Sequence, residues 1–432
     1  MLNPQQIVDE LVTLTAGKPI CLAYSGGLDS HVLLHILATA KHPGLKAIYA
    51  VHIDHGLQTE SKQWSKHCED VCLALDVDYH CLQVEVINIE TLGMEAAARV
   101  ARYQAFEQQL TPNDVLLTAQ HQHDQAETLL LQLLRGAGPK GLAAMAKKST
   151  MGKMALIRPL LDVPQSDLLA YAQQHDLKWI EDPSNADTRW SRNYLRHNVW
   201  PEIERRWPQA ETTLSRTAQH CAEASDLLAE LALQDMKSLD IDIETQSLST
   251  SALMTLSAAR RRNLLRHYIE LRQFALPSTA VLQSIIDEVC LAAQDKAPLV
   301  CWSDVEVRRY QDQLYFMNTL EHHDALKVIK VTDIADVSLQ NDQIVTWQLN
   351  IGEGLSEETV KTGLSLKFRQ GGERIQLQGH QHHQSLKHLF QQWQVPPWQR
   401  DRIPLLFCDE KLVAVVGYGI SDEFAVNEDQ QG

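Results

Sequence analysis

No CxxC pair occurs in this sequence, and its eight cysteines are scattered thinly over 432 residues. Only Cys68 and Cys72 lie close together. That usage excludes a disulfide scaffold, argues against a structural zinc or iron–sulfur site, and fits a reducing cytosol. No apolar run approaches the roughly 18 residues of a membrane helix, so no bilayer span is expected. The first residues, MLNPQQIVDELV, have neither a basic n-region nor an apolar h-region, so no secretion signal is expected. Low-complexity sequence is scarce too, and 44% apolar residues supply material for packed cores rather than disorder. At about 150 residues per domain the length suggests roughly three domains. A soluble, cytoplasmic, multidomain protein without a membrane partner is the expectation.

Cations are in deficit as well. The chain has 39 Lys and Arg against 55 Asp and Glu, a net charge of −16. Taken whole, that balance argues against nucleic acid, because phosphate contacts need clustered cations. The charge is unevenly spread, however. Residues 331–360 hold six acids (Asp333, Asp336, Asp342, Glu353, Glu357, Glu358) and no Lys or Arg. Residues 256–272 carry Arg260, Arg261, Arg262, Arg266 and Arg272 against Glu270 alone. Residues 364–402 hold six basic side chains, two acids and four histidines. A polyanion can bind such local patches whatever the overall sign.

The first 200 residues alternate between β-rich runs and helical patterns. PICLAY (19–24), KAIYAVH (46–52), YHCLQVEV (79–86) and DVLLTA (114–119) read as strands buried on both faces. Residues 28–41, 60–75 and 94–110 have helical apolar spacing, with Val32, Leu33, Ile36 and Leu37 as one stripe. Such alternation implies an α/β fold with a doubly wound parallel sheet, whose ligands bind beyond the strand carboxyl ends. Pro201 and Pro208 bracket an expected boundary. The resulting division is a catalytic domain at 1–210, a small helical domain at 211–325, an acidic connector at 326–360 with some strand in VTWQLNI, and an α+β domain at 361–432.

SGGLDS (25–30) follows the first strand and opens the first crossover helix. Ser25, Gly26 and Gly27 let the backbone turn sharply and aim amide hydrogens at an anion, and the helix amino terminus adds its dipole. Asp29 sits where a carboxylate can hold Mg²⁺ against phosphates. No GxxxxGK[ST] is present, so this is not a Walker loop; a plain strand–helix turn would also use paired glycines. GAGPKG (136–141) formally matches GxGxxG, but it follows a helix and contains Pro139, so it reads as a helix stop. In HIDHG (52–56), His52, Asp54 and His55 can touch nucleotide or metal, or simply end a strand. In HQHDQAET (121–128), Asp124 and Glu127 are three apart and share one helical face. They suit a cationic ligand, although acids also favour a helix start for its dipole.

SGGLDS resembles the PP-loop of the ATP pyrophosphatases, which cleave ATP between the α- and β-phosphates and adenylate a substrate oxygen. The ordered series SGGLDS, HIDHGL, EAAARVARYQAF (95–106), HQHDQAET, RPLL (158–161), EDPSN (181–185), RNYLR (192–196) and PPWQRDRIPLLF (396–407) is more specific. It closely resembles the bacterial tRNA(Ile)-lysidine synthetase family over essentially the whole chain. The resemblance implies that ATP adenylates the C2 oxygen of the wobble cytidine in tRNA(Ile) with a CAU anticodon. The ε-amino group of L-lysine then attacks C2, giving lysidine, AMP and pyrophosphate. It further implies that Ser25, Gly26, Gly27, Leu28, Asp29, Ser30 and His52 bind ATP, with Asp29 on Mg²⁺, and that Arg102, Asp124 and Glu127 form the lysine pocket. Asp29, Asp124 and Glu127 are the expected catalytic residues. tRNA contacts are expected from Arg192, Arg196, Arg260, Arg262, Lys387 and Arg400, and a homodimer is left open.

Two positions depart from the family pattern. His123 replaces the first of two adjacent acids, and GHQHHQSLKH (379–388) has histidines where Arg and Lys are usual. Those histidines read as an RNA-facing loop rather than a metal site. Trp393 and Trp398 read as core rather than base-stacking platforms. Among rival readings, pyrimidine 2-thiolation would call for reactive cysteines or a cluster, a small-molecule ligase would not need the appended basic domains, and a non-catalytic RNA chaperone would not need an intact loop. The general base that must accept the lysine proton is not identified by the sequence.

Overall fold

Short runs of branched apolar residues nucleate the sheet on which the rest of the first half is built. The computed structural model describes residues 2–40, 42–56, 60–87, 89–242, 247–293, 296–331, 336–339, 344–348, 354–356, 359–360 and 363–426. The chain divides into two compact units, Met1–Glu230 and Leu231–Gly432.

In the first unit, helix α1 (Pro4–Thr15) is capped by the Asn3 side chain, which accepts from the Gln6 amide. Strands β1 (Ile20–Ala23), β2 (Ile48–Asp54), β3 (Asp78–Gln83) and β4 (Val115–Leu117) are parallel. Crossovers run through α2 (Leu28–Thr39), α3 (Ser61–Ala74), and α4 (Ile89–Leu92) with α5 (Met94–Gln109). Beyond β4 come α6 (Gln122–Leu134), α7 (Pro139–Leu142), and strands β5 (Lys148–Met151) and β6 (Met154–Ile157). The sheet order is β3-β2-β1-β4-β6-β5. Val32, Leu33, Ile36 and Leu37 of α2 are fully buried in the core, together with Leu22 of β1 and Leu117 of β4.

Two local expectations change. The segment expected as a strand buried on both faces, YHCLQVEV, forms β3 at the sheet edge, where exposed and half-buried residues are mixed. An edge strand has only one neighbour, and His80 and Gln83 can face water there. The second change is that β5 joins β6 antiparallel through a tight turn at Gly152, so the sheet is not wholly parallel. The GAGPKG segment behaves as expected: α6 stops, Gly136 takes φ +72°, and Pro139 starts α7.

After β6 the chain continues through α8 (Gln165–Gln174), α9 (Ser191–Tyr194), α10 (Trp200–Arg206) and the long α11 (Ala210–Ser238), within which the two units divide. The second unit holds α12 (Thr250–Thr255), α13 (Ala258–Leu271) and α14 (Thr279–Ser284). The region expected to be helical also carries an antiparallel sheet, β7 (Ser247–Ser249), β8 (Leu299–Trp302), β9 (Val305–Tyr310) and β10 (Gln313–Asn318), ordered β7-β10-β9-β8. The last segment builds a five-stranded antiparallel sheet from Ile329–Val331, Leu364–Lys367, Leu405–Cys408, Lys411–Val415 and Gly419–Ile420, with a helix at Leu386–Gln392. Of the acidic connector, Asp333, Asp342, Glu353, Glu357 and Glu358 lie outside the described residues. Strand in VTWQLNI is limited to Val345 among the described residues. Trp398 packs edge-on to Tyr315 at 5.3 Å, and Trp393 stacks on Tyr418 at 5.0 Å.

Candidate active site

The loop after β1 turns on Gly26, whose φ is +80°. A Cβ there would lie 2.6 Å from Ile180 Cδ1 and 2.7 Å from Cys68 Sγ, so the backbone fits only glycine. The Ile180 amide donates to the Gly26 carbonyl at 2.9 Å, so the segment leading into EDPSN forms the loop's back wall. Ser25 Oγ lies 3.0 Å from Ser30 Oγ, and Ser30 Oγ donates to the Gly27 carbonyl at 3.1 Å. The chain enters α2 at Leu28 with Gly27 as its side-chain-free cap, leaving the first amides of α2 for an anion. His52, expected beside ATP, is buried beneath this loop. Its Nδ1–H donates to the Tyr24 carbonyl at 3.0 Å, directly before Ser25. It buttresses the loop from below, and burial holds its pKa below the ordinary imidazole value.

Asp29 lies in the first turn of α2. Its Oδ2 is 3.5 Å from His121 Nε2, and its Oδ1 is buried without a hydrogen-bond partner. The same His121 Nε2 is 3.5 Å from Asp124 Oδ2. His121 caps α6, its Nδ1 accepting from the His123 amide at 3.2 Å, while Asp124 accepts from the His121 amide at 3.1 Å. This reciprocal box fixes the ring, and the cap leaves Nε2 carrying the proton that faces both carboxylates. One imidazole therefore joins the loop to the α6 acids. The sequence carries a signal for it, a polar residue three before Asp124 at a helix start, although not for the partner across the sheet.

Glu127 is fully buried. Arg196 forks onto it, Nε to Oε1 at 2.7 Å and Nη2 to Oε2 at 2.8 Å, and also reaches Asp124 Oδ1 at 3.3 Å. His123 Nε2 adds a contact to Oε1 at 3.1 Å. Burial alone would raise this carboxyl, but His123 and Arg196 outweigh it and hold the pKa at about 2. Arg192 donates to Thr128 Oγ1 at 2.9 Å. The two RNYLR arginines, expected on tRNA, thus face the α6 residues. RNYLR is itself tied to EDPSN: Asn193 Nδ2 donates to the Ser184 and Asp187 carbonyls, both at 3.0 Å.

Arg102, the third expected lysine ligand, stands apart from this pair. Its Nη2 meets His55 Nε2 at 3.5 Å, at the carboxyl end of β2. The remaining expected tRNA contacts lie in the second unit. Arg260 pairs with the buried Asp235, and Arg400 donates to the Val395 carbonyl at 2.9 Å and to the Tyr310 hydroxyl at 3.2 Å. Arg262 is half-buried and Lys387 exposed. His380, His382, His383 and His388 are exposed as well. No group of three or more His, Cys, Asp or Glu side chains among the described residues could hold a metal ion by itself.

Family models match along the chain in order. One described as a PP-loop domain matches residues 2–203, a TilS substrate binding domain matches 248–315, and a TilS substrate C-terminal domain matches 364–432. The tRNA(Ile)-lysidine synthase of Coxiella burnetii (strain RSA 493 / Nine Mile phase I) is 40% identical, covering 100% of this chain and 96% of its own. The chain belongs to the tRNA(Ile)-lysidine synthase family. The synthase of Serratia proteamaculans (strain 568) is likewise 40% identical, covering 100% and 98% of the two chains. The one from Legionella pneumophila subsp. pneumophila (strain Philadelphia 1) is 40% identical over 98% and 95%. The loop and the α6 acids thus lie in the PP-loop domain of a lysidine synthase, and the two substrate domains fall in the second unit. Among the described residues, no helix is long and apolar enough to cross a membrane.

Proposed function

We propose that the protein adenylates the C2 oxygen of the wobble cytidine of tRNA(Ile) with a CAU anticodon at the expense of ATP, then joins L-lysine to that carbon. The C2–N bond to the lysine ε-nitrogen forms as the C2–O bond to AMP breaks, and one proton leaves the amine. The observation that carries this reading is His121, which puts the anion-binding loop and the α6 carboxylates within reach of one imidazole. Loop amides and the α2 amino terminus would receive the ATP phosphates.

Asp29 suits Mg²⁺, because its Oδ1 is a buried carboxylate oxygen without a partner. When bound, the ion would offset charge on the departing pyrophosphate. Glu127 at about pKa 2 is ionised at working pH and a weak base, so it suits holding a cation rather than taking a proton. Arg196 already fills that cation position, so lysine reaching Asp124 and Glu127 must displace its guanidinium. Arg102 is left to clasp the lysine carboxylate. Thiolation is disfavoured. Cys68 lies under the loop, but burial pushes its thiol up to about 12, far from a nucleophilic thiolate.

Residues 1–210 carry the ATP and lysine functions in this scheme, and 211–325 and 361–432 hold tRNA. Arg262 and Lys387 are better placed for phosphate than Arg260 and Arg400, whose donors serve the protein. The test is incubation with ATP, labelled lysine and bulk tRNA. Label in tRNA together with lysine-dependent AMP is expected; AMP without label would overturn the reading.

A further inference from the structure

The surroundings of His123 differ from those of an ordinary surface histidine. His123 is 5% exposed, in the first turn of α6. Its Nε2 lies 3.1 Å from Glu127 Oε1, and its Nδ1 lies 3.9 Å from Glu211 Oε2 in the first turn of α11. The ring stands edge-on to the buried Trp200, with centroids 4.4 Å apart and planes at 76°. Each nitrogen therefore has a carboxylate beyond it and an aromatic wall beside it. A neutral imidazole offers only one N–H, and its lone pair would point at a carboxylate on the other side. The charged ring instead sets a positive charge 3.1 Å from one carboxylate and 3.9 Å from the other.

We propose that His123 is a positioning residue that stands in the site as an imidazolium, a second and fixed cation that holds the Glu127 carboxylate beside Arg196, with Glu211 as its counter-ion. Arg196 is the more accessible of the two partners, with its side chain 31% exposed against 7% for His123. When lysine displaces the guanidinium, His123 keeps Glu127 in place. This second half rests on the assignment of lysine to Asp124 and Glu127.

The charges facing the ring are Glu127 on its own helix, Glu211 on α11, His121 at the cap with centroids 6.2 Å away, and Arg196 through their shared carboxylate. Burial favours the neutral ring, but the two carboxylates outweigh it and raise the pKa to about 9. The cation is thus complete at neutral pH and lost as pH rises through about 9.

The proposal is tested on the intact chain by following histidine Cε1–H resonances across pH 5.5 to 10, with His123→Gln identifying the signal. A midpoint near 9 that falls in Glu211→Gln is expected; titration in the ordinary range near 6.5 overturns the proposal. The kinetic arm compares KM for lysine. His123→Gln should raise it about tenfold with kcat little changed, and His123→Lys, a fixed cation, should recover most of the loss. Wild type should lose lysine affinity above pH 9 more steeply than either variant; identical profiles refute the positioning role. If instead Glu127→Gln leaves lysine KM unchanged while His123 of the wild-type chain titrates near 9, the lysine assignment fails and the imidazolium stands.

Discussion

Replacing Gly26 with alanine tests whether the loop's shape, rather than its polarity, makes the ATP site. Two costs can be worked from the geometry. An L-residue at φ +80° costs about 1–2 kcal/mol relative to glycine. The new Cβ would sit 2.6 Å from Ile180 Cδ1 and 2.7 Å from Cys68 Sγ, both far inside contact distance. Overpacking of this kind costs about 1–3 kcal/mol. Ile180 Cδ1 is a side-chain end that can rotate away, whereas Cys68 is fully buried on α3 and cannot. The steric cost therefore falls mainly on Cys68, and a combined penalty of about 2–5 kcal/mol is expected. The loop can relieve it only by breaking the Ile180-to-Gly26 hydrogen bond or by swinging its amides off the phosphate position. ATP affinity should then fall by about 30- to 5,000-fold. Calorimetric titration of the full chain with ATP measures this, alongside a thermal melt. Cys68→Ala in the same chain should recover the steric share but not the backbone share, leaving about a tenfold defect. A Gly26→Ala protein that binds ATP within twofold of wild type would refute the reasoning.

Four further outcomes are expected. Asp29→Asn keeps shape but removes the carboxylate, so lysine- and tRNA-dependent AMP formation should vanish while tRNA binding stays within a few fold, as filter binding would show. Glu127→Gln should raise KM for lysine roughly ten- to a hundredfold in steady-state assays, because a charge-assisted contact is lost. The same substitution should flatten the acid limb of stability. Glu127 is held at about 2 against an ordinary 4.5, which corresponds to about 3 kcal/mol present above pH 4.5 and lost as pH falls through about 2. Replacing the exposed His380, His382, His383 and His388 with Gln should weaken tRNA binding, because their ring contacts to the RNA are then lost. An unchanged affinity would take that loop off the RNA.

Much of the first unit is legible because its strands and helices differ in period. Ile20, Leu22 and Val115 read as strand, and the Val32–Leu37 stripe reads as helix, from apolar placement alone. What escaped was short or polar. The β5–β6 hairpin consists of two four-residue strands around Gly152, too brief to show alternation. Strand β9, VEVRRY, buries Glu306 against Arg308 at 2.8 Å, so a segment with three charges sits in a sheet. In the site, the spacing of Asp124 and Glu127 places both acids on one face, but spacing cannot say what crosses to meet them. Arg196 is 69 residues from Glu127 in sequence, and only the folded chain brings its fork to that carboxylate. The contacts of His52 are hard to read from sequence for a related reason. Its strand-end position was readable, yet the direction of its ring, down toward Tyr24, depends on how β2 lies against β1.

The same logic changes what the basic residues mean. Counted along the sequence, arginines cluster in segments that suit a polyanion. In the fold several serve buried carboxylates as counter-ions: Arg196 on Glu127, Arg260 on Asp235 and Arg308 on Glu306. Planar guanidinium can fork onto a carboxylate where an ammonium cannot, so arginine is the cation that a protein with excess acid can bury. An acidic chain that binds RNA must then divide its cations between holding its own carboxylates and meeting phosphate. At Arg196 the two demands meet in one side chain, because the guanidinium that neutralises Glu127 belongs to the RNYLR motif, where tRNA contacts are expected.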